Sequence, residues 1–255
     1  MMPSRSLFLT ILLACMALSE QGCAPASPNS PEALLERAKL RRDSKKLEEA
    51  VSLLTQAIGV DPDDPRLYYE RALTHVEAGH LDQAIADYDA AIIRSPQNVK
   101  AVNNRAAILG QQRRFQEAAD GFTQAIKMDG DDVLAIRNRG LVYHDMGDHE
   151  KAIVDLDRAI ELDPASSDYW FLRGNACLDG DQPEESVRSF TEAIRLNPQH
   201  AKSFLNRSHA HEKLGQAEEA AKDLARAVSI DPTVVTAAEP TPAELVPIPA
   251  AVSNP

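Results

Sequence analysis

Seven histidines and a surplus of acidic side chains are the residues of this chain that could bind a metal ion or transfer protons. His209 and His211 are two residues apart, so on a helix their side chains point in different directions. His144 and His149 are five residues apart, and neither a cysteine pair nor an HExxH sequence accompanies them. The acidic run DGDD at 129–132 lacks the ligand spacing of a calcium-binding loop. The sequence therefore predicts no metal site.

Catalytic motifs are equally absent from the sequence. It contains neither a glycine-rich phosphate loop nor the GxSxG sequence of a serine nucleophile. Outside the first thirty residues the only cysteine is Cys177, at a position that faces the predicted core, which favours a buried thiol over a reactive one. These observations predict a protein that is not an enzyme and that uses no cofactor.

A column of arginines is the most regular charged feature of the chain. They recur every 34 residues, at Arg37, Arg71, Arg105, Arg139, Arg173 and Arg207. One interpretation is a basic ladder that binds an anionic ligand. The other, which we favour, is structural, because a lone buried charge costs several kcal/mol and an arginine beside packed small residues therefore needs a partner.

Aspartates provide these partners in alternate repeats. Asp87, Asp155 and Asp223 each follow an arginine by 16 residues, and Asp120 lies one position away from the equivalent place. Arginine and aspartate form a bidentate pair that suits a half-buried site. The predicted structural ion pairs are Arg71 with Asp87, Arg139 with Asp155, and Arg207 with Asp223.

The same 34-residue period runs through the rest of the chain. It divides the chain without insertion into the units 31–64, 65–98, 99–132, 133–166, 167–200 and 201–234. Small residues fill the eighth, twentieth and twenty-seventh positions of each unit, and a large apolar residue fills the twenty-fourth. Apolar residues spaced by three and four within each half-unit predict two amphipathic helices, with glycine at several of the turns between them.

This pattern of small, aromatic and proline positions resembles the tetratricopeptide repeat. The resemblance covers residues 31–234 and implies an all-α fold, a right-handed α-solenoid of six helix-turn-helix units. It also implies that the first helix of every unit lines a concave groove in which a protein partner binds.

The resemblance assigns a set of side chains to that groove. Asn104, Asn138 and Asn206 resemble part of an asparagine ladder, which grips a peptide backbone because an amide both donates and accepts. The alternative is that these asparagines are plain repeat sequence. The other predicted partner-binding residues are Tyr69, Leu73, Arg137, Phe171 and Lys202. This mixture predicts a partly apolar segment or helix of another protein as the ligand.

The start of the chain resembles an export signal. Leu7–Leu18 is apolar but too short to cross a bilayer, which takes about 20 residues. With Arg5 before it, this run predicts a signal peptide at 1–22, followed by a flexible tether at 23–30. Cys23 resembles the lipid-attachment site of bacterial lipoproteins, which implies a lipid-anchored protein of the periplasm or cell envelope. Plain secretion and an uncleaved anchor are the alternatives.

The last residues, 235–255, contain five prolines and predict a flexible, disordered tail. The outer face of the sixth unit, at Leu224, Ala227 and Val228, is then left without a capping helix. We expect either the tail or a second copy of the chain to cover this end, and the latter would make a homodimer.

The sequence as a whole favours an adaptor. The net charge of −12 argues against a nucleic-acid partner, which requires a basic surface. We therefore predict a non-catalytic scaffold that binds a partner segment in its groove, with membrane contact only through a lipid anchor. The alternative is a self-associating structural protein of the envelope without a dedicated peptide ligand.

Overall fold

Residues 27–235 are described by the computed structural model, and every regular element in this range is an α-helix. The twelve helices of the range are α1 (Pro31–Asp43), α2 (Leu47–Val60), α3 (Pro65–Glu77), α4 (Leu81–Arg94), α5 (Val99–Gln111), α6 (Phe115–Met128), α7 (Val133–Asp145), α8 (His149–Leu162), α9 (Ser167–Asp179), α10 (Pro183–Leu196), α11 (Ala201–Lys213) and α12 (Ala217–Ile230). The predicted signal peptide, Cys23 and nearly all of the predicted tail lie outside the described residues.

Each helix packs against the next one along the chain, so that the helices form six stacked pairs. The odd-numbered helix is the first of each pair and the even-numbered helix is the second. Each pair leaves an apolar face that the following pair covers, and this is how a solenoid builds its core from local contacts. The prediction of an all-α solenoid is confirmed.

Small and large residues alternate at the centre of each pair. Tyr88, Phe122 and Phe190, at the twenty-fourth position of their units, have no exposed surface. They fit because alanine or glycine stands opposite them, as at Gly174, where an added Cβ would lie 2.5 Å from the ring of Phe190. The ring fills the space that the small residue leaves open, and the absence of a side chain there allows the two helices to approach closely.

The turn between the helices of a pair requires one residue in the left-handed conformation. Gly79, Gly147 and Gly215 take this conformation in alternate pairs, with φ of 77°, 80° and 70°. In the remaining pairs Lys45, Arg113 and Asp181 do so, with φ of 58°, 61° and 57°. The glycines adopt it without the steric cost that a Cβ adds, so the turns alternate between unstrained and mildly strained types.

Candidate functional site

The inner surface of the solenoid is formed by the odd-numbered helices. Direct contacts join α5 to α7, α7 to α9 and α9 to α11, so the first helices of neighbouring repeats lie close together. The inner surface comprises the second, fifth, sixth, ninth, twelfth and thirteenth positions of each unit, the positions that line the concave groove according to the resemblance. We call this surface the inner groove.

A cavity of about 260 Å³ opens at the N-terminal part of the inner groove, between α1 and α3. Its lining includes Leu35, Glu36, Lys39, Tyr69 and Glu70. Glu36 forms an ion pair with Lys39 at 3.0 Å and is well exposed, whereas Glu70 is half-buried. Charged side chains therefore form most of the cavity lining, and Leu35 and Tyr69 form its apolar part.

Apolar side chains continue along α3 from this cavity. Tyr69, Leu73 and Val76 are spaced by four and three residues, so they share one face of the helix, and all three are half-buried. We call them the α3 stripe. The Tyr69 hydroxyl accepts a hydrogen bond from Asn104 Nδ2 at 3.3 Å, and burial raises the pKa of this hydroxyl to about 12. Tyr69 is therefore a neutral, partly apolar side chain at neutral pH.

The middle of the inner groove is closed by its own side chains. Asn104 and Asn138 are only 2% and 1% exposed. Asn138 Oδ1 accepts a hydrogen bond from Arg137 Nη1 at 3.0 Å, and Arg137 pairs with Asp168 of the next repeat at 3.0 Å. These predicted binding residues thus join neighbouring repeats, and little of their surface is accessible to a ligand in this conformation.

The C-terminal part of the inner groove holds the remaining predicted residues. Phe171 is half-buried, and its ring stands edge-on to that of His200 with centroids 4.8 Å apart. Lys202 is exposed, while Asn206 donates a hydrogen bond to Asn175 Oδ1 at 2.8 Å. Phe171 and Lys202 therefore reach the surface, and Asn206 connects α9 to α11.

A histidine links the fourth and fifth repeats at the edge of the groove. His144 Nε2 lies 2.8 Å from Asp179 Oδ2, and Asp145 Oδ1 lies 3.8 Å from the other ring nitrogen. The neighbouring carboxylates of Asp145 and Asp179 raise the pKa of His144 to about 9. The imidazole is therefore charged at neutral pH and forms an ion pair between repeats.

The three predicted arginine–aspartate pairs lie away from the groove, between the helix layers. Arg139 Nε and Nη2 donate to the two carboxylate oxygens of Asp155 at 2.8 and 2.7 Å. Arg71 with Asp87 and Arg207 with Asp223 repeat this bidentate geometry. In all three repeats the arginine also donates to a threonine of the preceding repeat, namely Thr55, Thr123 and Thr191.

The arginines of the third and fifth repeats use a different partner. Arg105 pairs with Asp89 and Arg173 pairs with Asp157, both at 2.6 Å and both across the boundary to the preceding repeat. The expectation that Asp120 serves the third repeat is wrong, because Asp120 accepts from Gln116 on its own helix. The sequence carried a signal for these partners, since the twenty-fifth position alternates between threonine and aspartate over the first five units.

Arg37, at the start of the column, has no carboxylate of this kind. Its Nη1 donates to the carbonyl of Pro28 at 3.2 Å, and the side chain is exposed. No repeat precedes it in the described residues, so it lacks the second helix against which the other five arginines pack. The arginine column therefore serves the packing between repeats.

Residues 27–235 contain no helix with the length and apolar character of a membrane span. Over the same residues, no three histidine, cysteine, aspartate or glutamate side chains form a group that could hold a metal ion.

Family models place the chain in a known class. Models described as tetratricopeptide repeat match residues 35–99, 69–133, 133–166 and 171–234. These matches span most of the chain, and the protein belongs to the tetratricopeptide repeat family. A comparison with curated protein sequences finds no significant match.

Solved structures share this architecture. A tetratricopeptide repeat protein from Parabacteroides merdae ATCC 43184 superposes with a TM-score of 0.69 and 21% identity, over 83% of this chain and 81% of its own. YrrB, described as having an unusual peptide-binding site, superposes with a TM-score of 0.62 and 23% identity, over 70% of this chain and 92% of its own. MamA from Desulfovibrio magneticus RS-1 superposes with a TM-score of 0.64 and 16% identity, over 66% of this chain and 96% of its own. At these identities the similarity shows the fold alone.

Proposed function

We propose that this protein is a non-catalytic adaptor that holds a segment of another protein in the N-terminal part of its inner groove. The observation that carries the proposal is the α3 stripe, half-buried beside a cavity of about 260 Å³ with a charged rim. Binding pockets of this kind join apolar walls to a few polar groups that set orientation. The peptide-binding site ascribed to YrrB, which has the same fold, also supports a peptide ligand here.

The chemistry of the site favours a partly apolar ligand. An apolar side chain of the partner would pack against Leu73 and Val76, while Glu36 and Lys39 at the rim are positioned to pair with its polar groups. The buried asparagines of the middle repeats contribute by holding α5 and α7 in place. They are supports of the groove in this proposal, and the ligand contacts lie on α1 and α3.

Peptide binding tests this function directly. Peptides selected from a random display library on the wild-type protein are expected to bind the Leu73→Ala/Val76→Ala variant about tenfold more weakly or worse, since such anchors carry about 1 kcal/mol or more each. Isothermal titration calorimetry gives the dissociation constants. Circular dichroism and thermal melting first establish that the variants are folded.

The chain provides a matched control for this experiment. Ile93 and Val154 are exposed on the even-numbered helices, outside the inner groove. Ile93→Ala/Val154→Ala removes a similar amount of apolar surface and should leave the affinity unchanged. Equal affinity of the groove variant and the wild type would refute binding at the α3 stripe.

We also propose that the adaptor is exported and anchored to a membrane through a lipid on Cys23. The support is the short apolar run followed by cysteine in the sequence. A tether of this type raises the effective concentration of the adaptor near other envelope proteins, so a modest affinity suffices.

Labelling with a fatty-acid analogue tests the anchor. In a bacterial host the wild-type protein should incorporate the label and sediment with membranes, and Cys23→Ser should abolish both. Cys15→Ser, a matched cysteine change within the same leader, should retain them. Label that persists in Cys23→Ser would exclude this attachment site.

Self-association is the second candidate function. The exposed Leu224 and Val228 on the last helix favour it, because apolar side chains at the end of a rod can join two rods. A mass that rises with protein concentration, in a protein that retains no library peptide, would favour this candidate over the adaptor.

A further inference from the structure

The last helix of the solenoid exposes positions that the preceding repeats bury. At the twenty-fourth position Leu54, Tyr88, Phe122, Leu156 and Phe190 are at most 1% exposed, whereas Leu224 is 38% exposed. Val228 is 37% exposed, and Ala221 and Ala225 are exposed as well. These four residues are spaced by three, one and three, so they form one stripe of α12, which we call the terminal face. Ala227, expected on this outer face, is instead fully buried.

The chain leaves the solenoid at the C-terminal end of α12. Val234 is buried and packs with Ala201, Phe204 and Ala227, so the residues that follow α12 turn back onto the last repeat. The backbone N–H of Thr233 donates to Asp231 Oδ1 at 2.8 Å, which stabilises this turn. The twenty residues 236–255 therefore start near the C-terminal end of α12, the end at which Val228 of the terminal face lies.

We propose that the segment 243–252, AELVPIPAAV, packs across the terminal face and caps the solenoid. Its apolar residues Leu245, Val246 and Ile248 are the anchors. Leu245 follows Val235 by ten residue steps, which can span about 33 Å, while the whole of α12 is about 21 Å long. Every part of the stripe is thus within reach of the segment.

Prolines suit the segment to this role. Pro247 and Pro249 remove backbone donors and favour an extended conformation, which lowers the entropy lost on docking. The terminal face is a helix surface whose backbone groups are already hydrogen-bonded within α12. A cap on it needs only side-chain contacts, so the missing donors of the prolines cost nothing there.

A second copy of the chain fits this face less well. The other end of the rod is α1, whose exposed side chains include Glu36, Arg37 and Arg41, with Leu40 as an exposed apolar residue among them. Head-to-tail contact would therefore place charges against the terminal face. Stable dimers bury about 1,000 Å² or more, and four side chains of one helix offer little of that. The segment 243–252 is tethered, and its effective concentration reaches the millimolar range.

Hydrogen exchange of the amides of α12 tests the cap in the full-length chain. The variant Leu245→Ser/Val246→Ser/Ile248→Ser should speed exchange in α12 by about tenfold or more, because the helix loses its apolar cover. The control Glu239→Gln/Glu244→Gln changes the stretch 236–255 without touching the anchors and should leave exchange unchanged. Exchange in α3 should not respond to either variant.

A second variant identifies the docking surface. In a Leu224→Gln/Val228→Gln background, where the terminal face is polar, the triple serine change should have no further effect on α12. Light scattering completes the test: a monomer with fast-exchanging α12 in the triple variant supports the cap. Unchanged exchange in the triple variant would overturn the proposal. So would a full-length protein that is a dimer and in which dilution alone speeds amide exchange in α12. The face lies outside the inner groove, so peptide binding at the α3 stripe is measured independently.

Discussion

The Asp155→Ala variant is expected to lose about 2–4 kcal/mol of unfolding free energy, because it leaves a half-buried guanidinium without its carboxylate. Asp155 is buried and accepts two hydrogen bonds from Arg139, and these bonds raise the pKa of the Arg139 guanidinium. Thr123 Oγ1, at 3.0 Å, is a neutral partner and cannot balance the charge. Urea denaturation followed by circular dichroism measures the loss.

An exposed pair is the matched control for this prediction. Glu192 and Arg195 lie 2.7 Å apart on α10 in exposed positions. Glu192→Ala should cost less than about 1 kcal/mol, because water solvates both charges of such a pair. If Asp155→Ala and Glu192→Ala cost the same, the Arg139 guanidinium is solvated, and the arginine column becomes available to an anionic ligand.

Gly174→Ala is expected to destabilise the protein by about 1–2 kcal/mol, although alanine is normally the better helix former. A Cβ at this position would lie 2.5 Å from Cε1 and 2.6 Å from Cδ1 of Phe190, whose ring is fully buried. Overpacking of a filled core costs about 1–3 kcal/mol, and the gain in helix propensity of about 1 kcal/mol offsets only part of the clash. Thermal and urea unfolding report the difference.

The Gly140→Ala variant is the control, because it replaces an equivalent glycine without the severe clash expected at Gly174. Gly140 occupies the same position in the fourth repeat, where the nearest atom to an added Cβ is Leu156 Cγ at 3.2 Å. The unfolding free energy of the Gly140→Ala variant should therefore differ from that of the wild type by less than about 1 kcal/mol in either direction. Phe190→Leu should recover part of the stability lost in Gly174→Ala. Equal effects of the two glycine substitutions would mean that the Phe190 ring moves aside at no cost.

Much of this architecture follows from residues that are close in sequence. The helix pairs follow from the apolar spacing, and Arg71, Arg139 and Arg207 find their aspartates because both members of each pair belong to one unit. The left-handed turn at Gly79, Gly147 and Gly215 also depends on a local requirement, since glycine tolerates positive φ.

Contacts between repeats were harder to anticipate. The pairing of Arg173 with Asp157 depends on how the fifth repeat sits on the fourth, which the pattern of one unit does not contain. The burial of Asn104 and Asn138 depends on the closeness of the odd-numbered helices, a property of the whole stack. The sequence predicts that Asn104 and Asn138 lie on the inner surface. Whether a ligand can reach them depends on how closely neighbouring repeats stack.

The alternating arginine partners give the rod a charge pattern that repeats every two helix pairs. Removing residues 99–166 would seat Arg173 against Asp89, a carboxylate equivalent to its own Asp157. Removing only the fourth repeat would bring Thr123 to the place of Asp157, and Arg173 would keep only the more distant Glu185, at 3.8 Å, as an acidic neighbour. The partners of the arginines thus repeat every 68 residues, twice the structural period of 34, and deletion of two adjacent repeats such as 99–166 keeps the alternation of threonine and aspartate in register.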